Sequence, residues 1–344
     1  MVLALLAIEL LFLHQLYVGQ KGNPQNQGKI WFWACASVWF FTAFRSFTTG
    51  NDTYGYILSF ENIKQISWHE VFHTIEYRDP FFVYFVKLCT IILRSSQVYL
   101  AFTAFLSYIG VFILFREKAK FPVLALFFYV TLTNFLFNIT GIRQAIAMSM
   151  CMLAVSFMCK KKLLPFCLFV LLGMVFHHSA AIFFPVYYIG KLQVNQKWLA
   201  LYIIGLGVSI VLFENILGYA NALLRYDYGV EEVDSGKIFL FILLAIEIIS
   251  YLYKEKWLPS DSNREMFIIM TVCLALWVCR LFSRVAERPS FYFLSVVPIM
   301  WTNTLGLVKD TQKKNIYLIL SIMISLLLFL KRISSFSYHF TWQG

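Results

Sequence analysis

Residues 121–159 read FPVLALFFYVTLTNFLFNITGIRQAIAMSMCMLAVSFMC, which is two long apolar runs separated by a short polar break. Each run is close to the length of about 17–20 residues with which a helix crosses a hydrocarbon core of about 30 Å. Gly141 interrupts the apolar sequence, and Arg143 and Gln144 open the second run. The stretch predicts two membrane-spanning helices, and it places a charged and an amide side chain where the second helix begins.

Apolar runs of this kind recur along the whole chain. The 344 residues are 60% hydrophobic and only 14% charged, whereas an ordinary globular domain is about 45–50% apolar and about 25% charged. These features predict an all-α polytopic membrane protein with about 11–13 transmembrane helices. No internal repeat or linker is visible, so we expect a single transmembrane domain over residues 1–344. The candidate spans are 2–18, 30–44, 97–115, 121–137, 142–159, 163–176, 179–191, 198–214, 237–253, 266–282, 289–306 and 315–331.

Positive charge is concentrated in short loops. A net charge of +11 would suggest a nucleic-acid partner in a soluble protein, but beside a membrane it fits loops that face the cytoplasm. Residues 116–120 carry three basic side chains, and residues 160–162 are all lysine. Counting spans from these two loops puts residues 45–79, the turn at Gly141 and His177 on the outer side of the membrane.

Two longer polar segments interrupt the apolar pattern, about 45–79 and about 215–236. Irregular backbone at a membrane surface needs water or protein to satisfy its polar groups, so two outward-facing loops could cap a cavity in the helix bundle. Segment 81–93 is short for a span, and we expect an interfacial or re-entrant helix there. With that assumption Lys21 and Lys29 also lie on the cytoplasmic side.

Asp52 lies in the first polar segment, in FRSFTTGNDTYGYILSF, residues 44–60. A carboxylate just outside the membrane could accept a proton from an attacking hydroxyl group or orient a sugar. The structural alternative is a helix N-cap, in which the Asp52 carboxylate satisfies free backbone N–H groups.

Arg143 stands at the start of a predicted helix on the outer side of the membrane. Arginine suits phosphate because its planar fork offers paired N–H donors while it stays charged. The N-terminus of a helix adds donors and a dipole that favours an anion. The alternative is an interfacial arginine that snorkels from a span into the headgroup region. The location of Arg143 counts against this alternative, because basic residues are favoured in loops on the cytoplasmic side and not on the outer side.

A second group of arginines surrounds Glu287. Arg288 precedes Pro289, a residue suited to the beginning of a helix, and it could supply another phosphate contact. Arg284 and Arg288 flank Glu287, however, and a surface ion pair is the alternative for both. Arg225, in the second polar segment, is a further candidate for an anion contact.

Histidine occurs in two unusual settings. VFHHSAAIFF, residues 175–184, places His177 and His178 inside an apolar run. A polar side chain there usually faces a cavity or a partner, and the alternative for a lone membrane histidine is a hydrogen-bonded packing element. SWHEVFHTI, residues 67–75, holds the His-Glu-x-x-His pattern of zinc peptidases. No third ligand is evident at an ordinary spacing, so we interpret that pattern as coincidence. A zinc membrane peptidase stays a remote alternative.

Five motifs occur in a familiar order along the chain. They are Arg45 followed by Asp52-x-Tyr54, Asp79-Pro80, Gly141-Ile142-Arg143-Gln144-x-x-Ala147, Phe176-His177-x-Ser179-Ala180, and Arg288 before Phe291-Tyr292-Phe293. This order resembles the EpsG/Wzy-type bacterial polysaccharide polymerases, over roughly residues 40–300. The Arg143-Gln144 helix start and the His177-x-Ser179 motif make this resemblance most specific. Family members often have Glu-Pro-Gly-Phe where this chain has Asp-Pro-Phe-Phe, which leaves the role of Asp79 open.

The resemblance implies a reaction, a fold and a set of site residues. A growing glycan would pass from one undecaprenyl diphosphate to a repeat unit carried on another, at the outer face of the bacterial inner membrane, within a bundle related to the GT-C glycosyltransferases. Cations would stabilise the departing diphosphate, and another group would orient or deprotonate the acceptor hydroxyl. The expected catalytic residues are Asp52, Arg143, His177 and Arg288, and the expected substrate contacts are Arg45, Tyr54, Asp79, Gln144, Ser179, Arg225 and Arg284. We expect no metal and no cofactor, because arginines can stabilise the leaving group.

Two further interpretations stay open. Another lipid-linked glycan transferase, such as a ligase to lipid A, would need the same polar groups, and only a polymerase produces a ladder of repeat numbers. A transporter or flippase predicts charged or broken-helix residues near the bilayer midplane, whereas the candidate polar residues gather at one face. The expected partners are undecaprenyl-diphosphate-linked oligosaccharides and membrane lipid, with a chain-length regulator protein as a candidate partner. The sugar and its linkage stay open, and so does the product, for which O-antigen is favoured over capsule and exopolysaccharide.

Overall fold

Helices joined by short turns make up the computed structural model, which describes residues 2–73, 80–212, 215, 218–219 and 236–343. The first helices are α1 (Val2–Gly19), α2 (Pro24–Ala43), α3 (Thr53–Gln65), α4 (Trp68–His73), α5 (Pro80–Ile92), α6 (Ser96–Lys118), α7 (Pro122–Leu132), α8 (Phe135–Thr140), α9 (Ile142–Cys159) and α10 (Leu163–Phe176). A 3₁₀ helix (His178–Phe183) leads to α11 (Val186–Ile189) and α12 (Gln196–Val211). The later helices are α13 (Lys237–Leu252), α14 (Lys254–Trp257), α15 (Asp261–Cys279), a 3₁₀ helix (Arg284–Ala286), α16 (Glu287–Leu294), α17 (Val297–Leu307) and α18 (Thr311–Ser334).

Five helices of the described chain are long and apolar enough to cross a membrane, namely α1, α6, α9, α15 and α18. Shorter apolar helices, α5, α7, α10 and α12, accompany them. The predicted class, an all-α polytopic membrane protein, is confirmed. The total of 11–13 spans depends on the shorter helices and stays a prediction.

Three predicted spans, 121–137, 179–191 and 289–306, are wrong as continuous helices. The first breaks between α7 and α8 at two polar residues. The second consists of a 3₁₀ helix and the one-turn helix α11, with Pro185 between them. The third breaks between α16 and α17, where Pro298 lies in the first turn of α17. Proline lacks a backbone N–H and clashes with the preceding helical turn. It is therefore tolerated at the start of a helix, but it ends the helix before it even where the sequence stays apolar.

Ion pairs between loops define one end of the helix bundle, which we call the lysine end. Lys160 Nζ lies 2.8 Å from a Glu117 carboxylate oxygen, and Lys161 Nζ lies 2.8 Å from an Asp261 carboxylate oxygen. The first turns of α2 also lie here, beside the Arg116 guanidinium. The basic loops that charge predicted to share one side of the membrane therefore do lie together, at the C-termini of α6 and α9 and the start of α15.

The segment between α2 and α6 begins and ends at the opposite end of the bundle. Gln97, in the first turn of α6, donates a hydrogen bond of 2.5 Å from Nε2 to the Ala43 carbonyl at the end of α2. After α3, α4 and α5, the chain is therefore again at the end of the bundle where α2 ends. Helix α5 has 13 residues and is about 20 Å long, less than the hydrocarbon thickness, which agrees with the expectation that segment 81–93 does not span.

The C-terminal residues hold the loop that follows α2. Arg45 and Phe340 form an isolated antiparallel β-bridge, and Ser46 N donates to the His339 carbonyl at 2.7 Å. The Phe340 ring packs against Phe41, with centroids 5.5 Å apart. Because α9 begins and α10 and α15 finish at this same end, the loop lies among the helix termini that carry the candidate residues.

Candidate functional site

The start of α9 is shaped by a glycine. Gly141 is at once the C-cap of α8 and the N-cap of α9, and a Cβ atom there would lie 2.6 Å from Cζ of Phe137. The chain can therefore turn tightly enough to put Arg143 in the first turn of α9. The Arg143 side chain is half-buried, and its guanidinium carbon lies 5.7 Å from the centre of the Phe82 ring on α5, a distance at which a cation is attracted to an aromatic face.

A hydrogen bond joins the start of α9 to α16. Gln144 is only 4% exposed, and its Nε2 donates to the Arg288 carbonyl at 2.8 Å. A second amide repeats the arrangement, because Asn134 Nδ2 donates to the Phe291 carbonyl at 2.7 Å. Since Gln144 directly follows Arg143, these contacts bring the backbones that carry Arg143 and Arg288 together.

His177 belongs to a chain of three hydrogen-bonding side chains. It caps the C-terminus of α10 in an extended conformation, with φ −156° and ψ 116°, and it is 7% exposed. Its Nδ1 lies 2.6 Å from Ser179 Oγ, and Ser179 Oγ lies 2.9 Å from the Tyr292 hydroxyl. Tyr292 is one helical turn beyond Arg288, so both lie on the same face of α16. Helix α16 therefore contacts both the Arg143-Gln144 motif and the His177-x-Ser179 motif.

Arg45 is buried beneath the loop that it opens. It is 1% exposed, its Nη1 donates to the Thr42 carbonyl at 2.5 Å and its Nε to Thr53 Oγ1 at 3.4 Å. Thr53 Oγ1 in turn donates to the Ile139 carbonyl at 3.2 Å. Burial lowers the pKa of Arg45 to about 10, so the side chain stays charged at neutral pH. In this position Arg45 ties the loop to α8 and does not face open space.

Asp52 lies on the same loop, close to the start of α9. Gly50 has φ +81°, and a Cβ atom there would overlap Thr140 Cγ2, so the loop packs directly on the residue before Gly141. Asp52 occupies the N-cap position of α3, but its side chain makes no capping hydrogen bond, and it is exposed. Tyr54 is also exposed, at 61%. The capping role considered for the Asp52 carboxylate is therefore not observed.

Arg284 contacts Glu287 and is exposed. Its Nε lies 3.9 Å from Glu287 Oε2, as the ion-pair alternative predicted. The closer partner of Glu287 is Arg280, whose Nε lies 2.7 Å from the same oxygen. Asp79 and Arg225, the two remaining candidates, lie outside the described residues.

The structure thus brings Asp52, Arg143, Gln144, His177, Ser179 and Arg288 to one end of the bundle, around the turn from α8 to α9. Sequence reasoning missed the supporting roles of Thr53 and Tyr292. Tyr292 could have been found, because a hydroxyl four residues after Arg288 shares its helix face. Thr53 gave no signal, since its partner Ile139 is distant in sequence.

The zinc-peptidase pattern at residues 67–75 has a structural use. Ser67 N donates to Glu70 Oε2 at 2.5 Å, and Glu70 N donates to Ser67 Oγ at 3.2 Å, which is a capping box at the start of α4. The hydrogen bonds from Ser67 lower the pKa of the Glu70 carboxyl. Among the described residues no group of three or more His, Cys, Asp or Glu side chains could hold a metal ion.

Comparison with known proteins adds one finding. A family model described as the EpsG family matches residues 29–343, which covers every described candidate residue. Comparisons with curated proteins and with solved structures gave no match.

Proposed function

The chain belongs to the EpsG family, the family of Wzy-type polysaccharide polymerases, and from that premise we propose that it polymerises lipid-linked glycan repeat units. The contact that supports this function most directly is the attachment of α16 to both other motifs. Gln144 binds the Arg288 carbonyl, and Ser179 joins His177 to Tyr292. One short helix thereby links the helix that carries Arg143 to the segment that carries His177, at one end of a membrane bundle.

The proposed reaction is a displacement at an anomeric carbon. The hydroxyl oxygen of the acceptor sugar forms a bond to the first sugar of the donor glycan, and the bond from that carbon to the diphosphate oxygen breaks. The diphosphate, still attached to its polyprenyl chain, leaves with the electron pair of the broken bond on its oxygen, and the proton of the hydroxyl passes to a protein base. The acceptor lipid then carries a glycan that is longer by the whole donor chain.

Arg143 and Arg288 are the proposed partners of the departing diphosphate. Negative charge grows on the diphosphate as the bond breaks, and fixed cations at that place lower the barrier. Arg143 sits in the first turn of α9, where the helix dipole adds to the favourable field. Buried Arg45 acts as a positioning residue, because its hydrogen bonds to Thr42 and Thr53 are directed to the protein itself.

His177 is the proposed base, and Asp52 the proposed orienting group for the acceptor. A neutral imidazole can accept a proton from a hydroxyl group in the transition state. The contact of His177 Nδ1 with Ser179 Oγ fixes the ring, which general-base catalysis requires. Asp52 is exposed beside the start of α9, where its carboxylate could accept hydrogen bonds from sugar hydroxyls.

The proposed orientation follows from the charge of the loops. The candidate residues lie opposite the lysine end, and basic loops favour the cytoplasmic side of a membrane. We therefore infer that the site faces the outside of the cytoplasmic membrane, where it meets lipid-linked repeat units after they have crossed the bilayer.

Complementation of a strain that lacks its own polymerase but supplies a matching repeat unit tests this function. The wild-type chain is expected to restore a ladder of repeat numbers on a glycan gel. A glycan that stays at one repeat unit, as in the strain without the added chain, would contradict a polymerase if the protein is present at a normal level. The ligase alternative instead predicts attachment of glycan to the final acceptor in a strain that lacks its own ligase.

A further inference from the structure

A cavity of about 630 Å³ lies beside α16. The helix separates this cavity from the candidate site: Glu287 and Phe291 line the cavity, whereas the Arg288 carbonyl and the Tyr292 hydroxyl bind partners in the site. The Phe291 ring also packs on Phe137, with centroids 4.7 Å apart. The cavity and the candidate site therefore lie on neighbouring faces of one helix, because successive helical residues are about 100° apart.

Four basic side chains line the cavity, Lys237, Arg280, Lys331 and Arg332. Glu287 is the carboxylate among its described lining residues. Among the lining residues that the structure describes, four cations against one carboxylate leave an excess of positive charge in a concave place. Such an excess attracts an anion more strongly than the same charges on a flat surface, because the low-dielectric walls focus the field.

Arg280 is held firmly in the cavity wall. Besides its ion pair with Glu287, its guanidinium carbon lies 5.2 Å from the centre of the Trp277 ring. Gly236 approaches on the other side, with φ +136°, and a Cβ atom there would overlap the guanidinium. Trp277 Nε1 donates to the Gly236 carbonyl at 3.2 Å, so ring, backbone and guanidinium form one unit.

Arg332 is fixed at another wall by the end of a helix. Its Nη1 and Nη2 donate to the carbonyls of Leu132 and Thr133, at 3.3 and 3.4 Å. These carbonyls end α7, where a cation is favourable. Fixed guanidinium groups suit phosphate because they present paired donors without much loss of side-chain freedom.

We propose that this cavity binds a diphosphate group. A diphosphate carries several negative charges and many acceptor oxygens, which four cations on different walls can contact from more than one side. The cavity volume exceeds what one phosphate needs and leaves room for bridging water.

The acceptor lipid of the polymerisation is the proposed carrier of this diphosphate, an assignment that rests on the proposed function. The attacking hydroxyl of the acceptor lies at the far end of its repeat unit, so its diphosphate cannot lie at the reacting carbon. A second anion site next to the first, separated by α16, meets that requirement. Two separate diphosphate sites would also let donor and acceptor bind together.

Direct binding to the purified full-length protein in detergent tests the proposal. The probes are inorganic diphosphate, undecaprenyl diphosphate and undecaprenol, which has no phosphate. The test variant is K237Q/K331Q, since both lysines are exposed and their replacement leaves the Arg280–Glu287 pair intact. The control variant is K309Q/K313Q, which removes the same charge from exposed positions near the start of α18. At low salt we expect about tenfold weaker diphosphate binding by the test variant and unchanged binding by the control.

The probes also distinguish the source of the diphosphate. Tighter binding of undecaprenyl diphosphate than of inorganic diphosphate, with both weakened by K237Q/K331Q, supports the lipid-borne group. Binding of inorganic diphosphate alone keeps the anion site and overturns its assignment to the acceptor lipid. Equal affinity of the test variant and the wild type, or an equal loss in the control, overturns the site itself. The assay includes no glycan transfer, so its outcome is independent of whether the chain polymerises.

Discussion

Replacement of Gln144 by Met distinguishes an effect on the proposed active site from an effect on the stability of the whole protein. Met is similar in length to Gln and can fill the same buried space, but it has no N–H donor. The change therefore removes the 2.8 Å hydrogen bond to the Arg288 carbonyl and little else. Gln144 touches neither donor nor acceptor in the proposed mechanism, so any effect on catalysis must come through the position of α16.

The size of the effect follows from the lost hydrogen bond. The Arg288 carbonyl also belongs to α16, where the backbone N–H four residues further on is its intrahelical partner, so Gln144→Met removes one of two partners. One hydrogen bond contributes about 0.5–1.5 kcal/mol, and each 1.4 kcal/mol corresponds to about a tenfold change in rate when it appears in the barrier. If α16 shifts once this attachment is lost, Arg288 leaves the position where it meets the departing diphosphate. We expect kcat for polymerisation to fall about 2- to 10-fold, with a smaller change in KM.

The assay measures ladder formation over time by purified protein, with thermal unfolding measured in parallel. Gln97→Met is the matched control, because Gln97 makes the same kind of amide-to-carbonyl hydrogen bond, to Ala43, at the same end of the bundle. It should lower the unfolding temperature comparably and leave kcat near the wild-type value. Wild-type kcat in Gln144→Met, or an equal loss of kcat in both variants, would refute a positioning role for the Gln144–Arg288 contact.

Three other predictions concern the loop after α2 and the chemistry. Gly50→Ala should destabilise the protein by about 1–3 kcal/mol, because φ is positive there and the new methyl group overlaps Thr140; a denaturation series checks this, and Thr140→Ser in the same chain should recover part of the loss. Arg45→Lys should cost about 1–2 kcal/mol, since one ammonium cannot replace both the Nη1 and Nε contacts; an unfolding temperature equal to that of the wild type would contradict it. Polymerisation by purified protein should continue unchanged in the presence of a strong chelator, because the arginines provide the positive charge; loss of activity that added metal restores would show that reasoning to be wrong.

Local features of the fold could be predicted from the sequence. The span predicted at 142–159 is the helix Ile142–Cys159, because an apolar run bounded by glycine and lysines leaves little freedom in where it starts and stops. Two of the three wrong spans, 179–191 and 289–306, share one cause. Hydropathy counts Pro185 and Pro298 as neutral residues, whereas their missing N–H groups decide where a helix breaks.

Contacts between distant parts of the chain could not be predicted. Gln144 and Arg288 are 144 positions apart, and one sequence contains no record of which helices pack together. The arginines of the cavity were missed for a related reason. A basic residue at the end of an apolar helix, such as Arg280 or Arg332, has the same pattern whether it faces lipid headgroups or a cavity.

The pattern Ser67-x-x-Glu70 shows how one stretch can fit two templates. It matches both the first residues of a capping box and part of a zinc-peptidase motif. Only the observed hydrogen bonds between Ser67 and Glu70 distinguish them, because a capping box needs four residues at one helix start, whereas a zinc site needs ligands from elsewhere in the fold.

Polymerisation by purified protein from defined undecaprenyl-diphosphate-linked repeat units is the most direct test of the proposed active site. Single substitutions His177→Ala, Arg143→Ala and Arg288→Ala are compared with Arg116→Ala, a control at the lysine end. We predict that each of the first three lowers the rate of ladder formation by about 10²–10⁴-fold, while Arg116→Ala leaves it near the wild-type value. Wild-type ladders from His177→Ala and Arg143→Ala, with correctly folded protein, would contradict the assignment of catalysis to this end of the bundle.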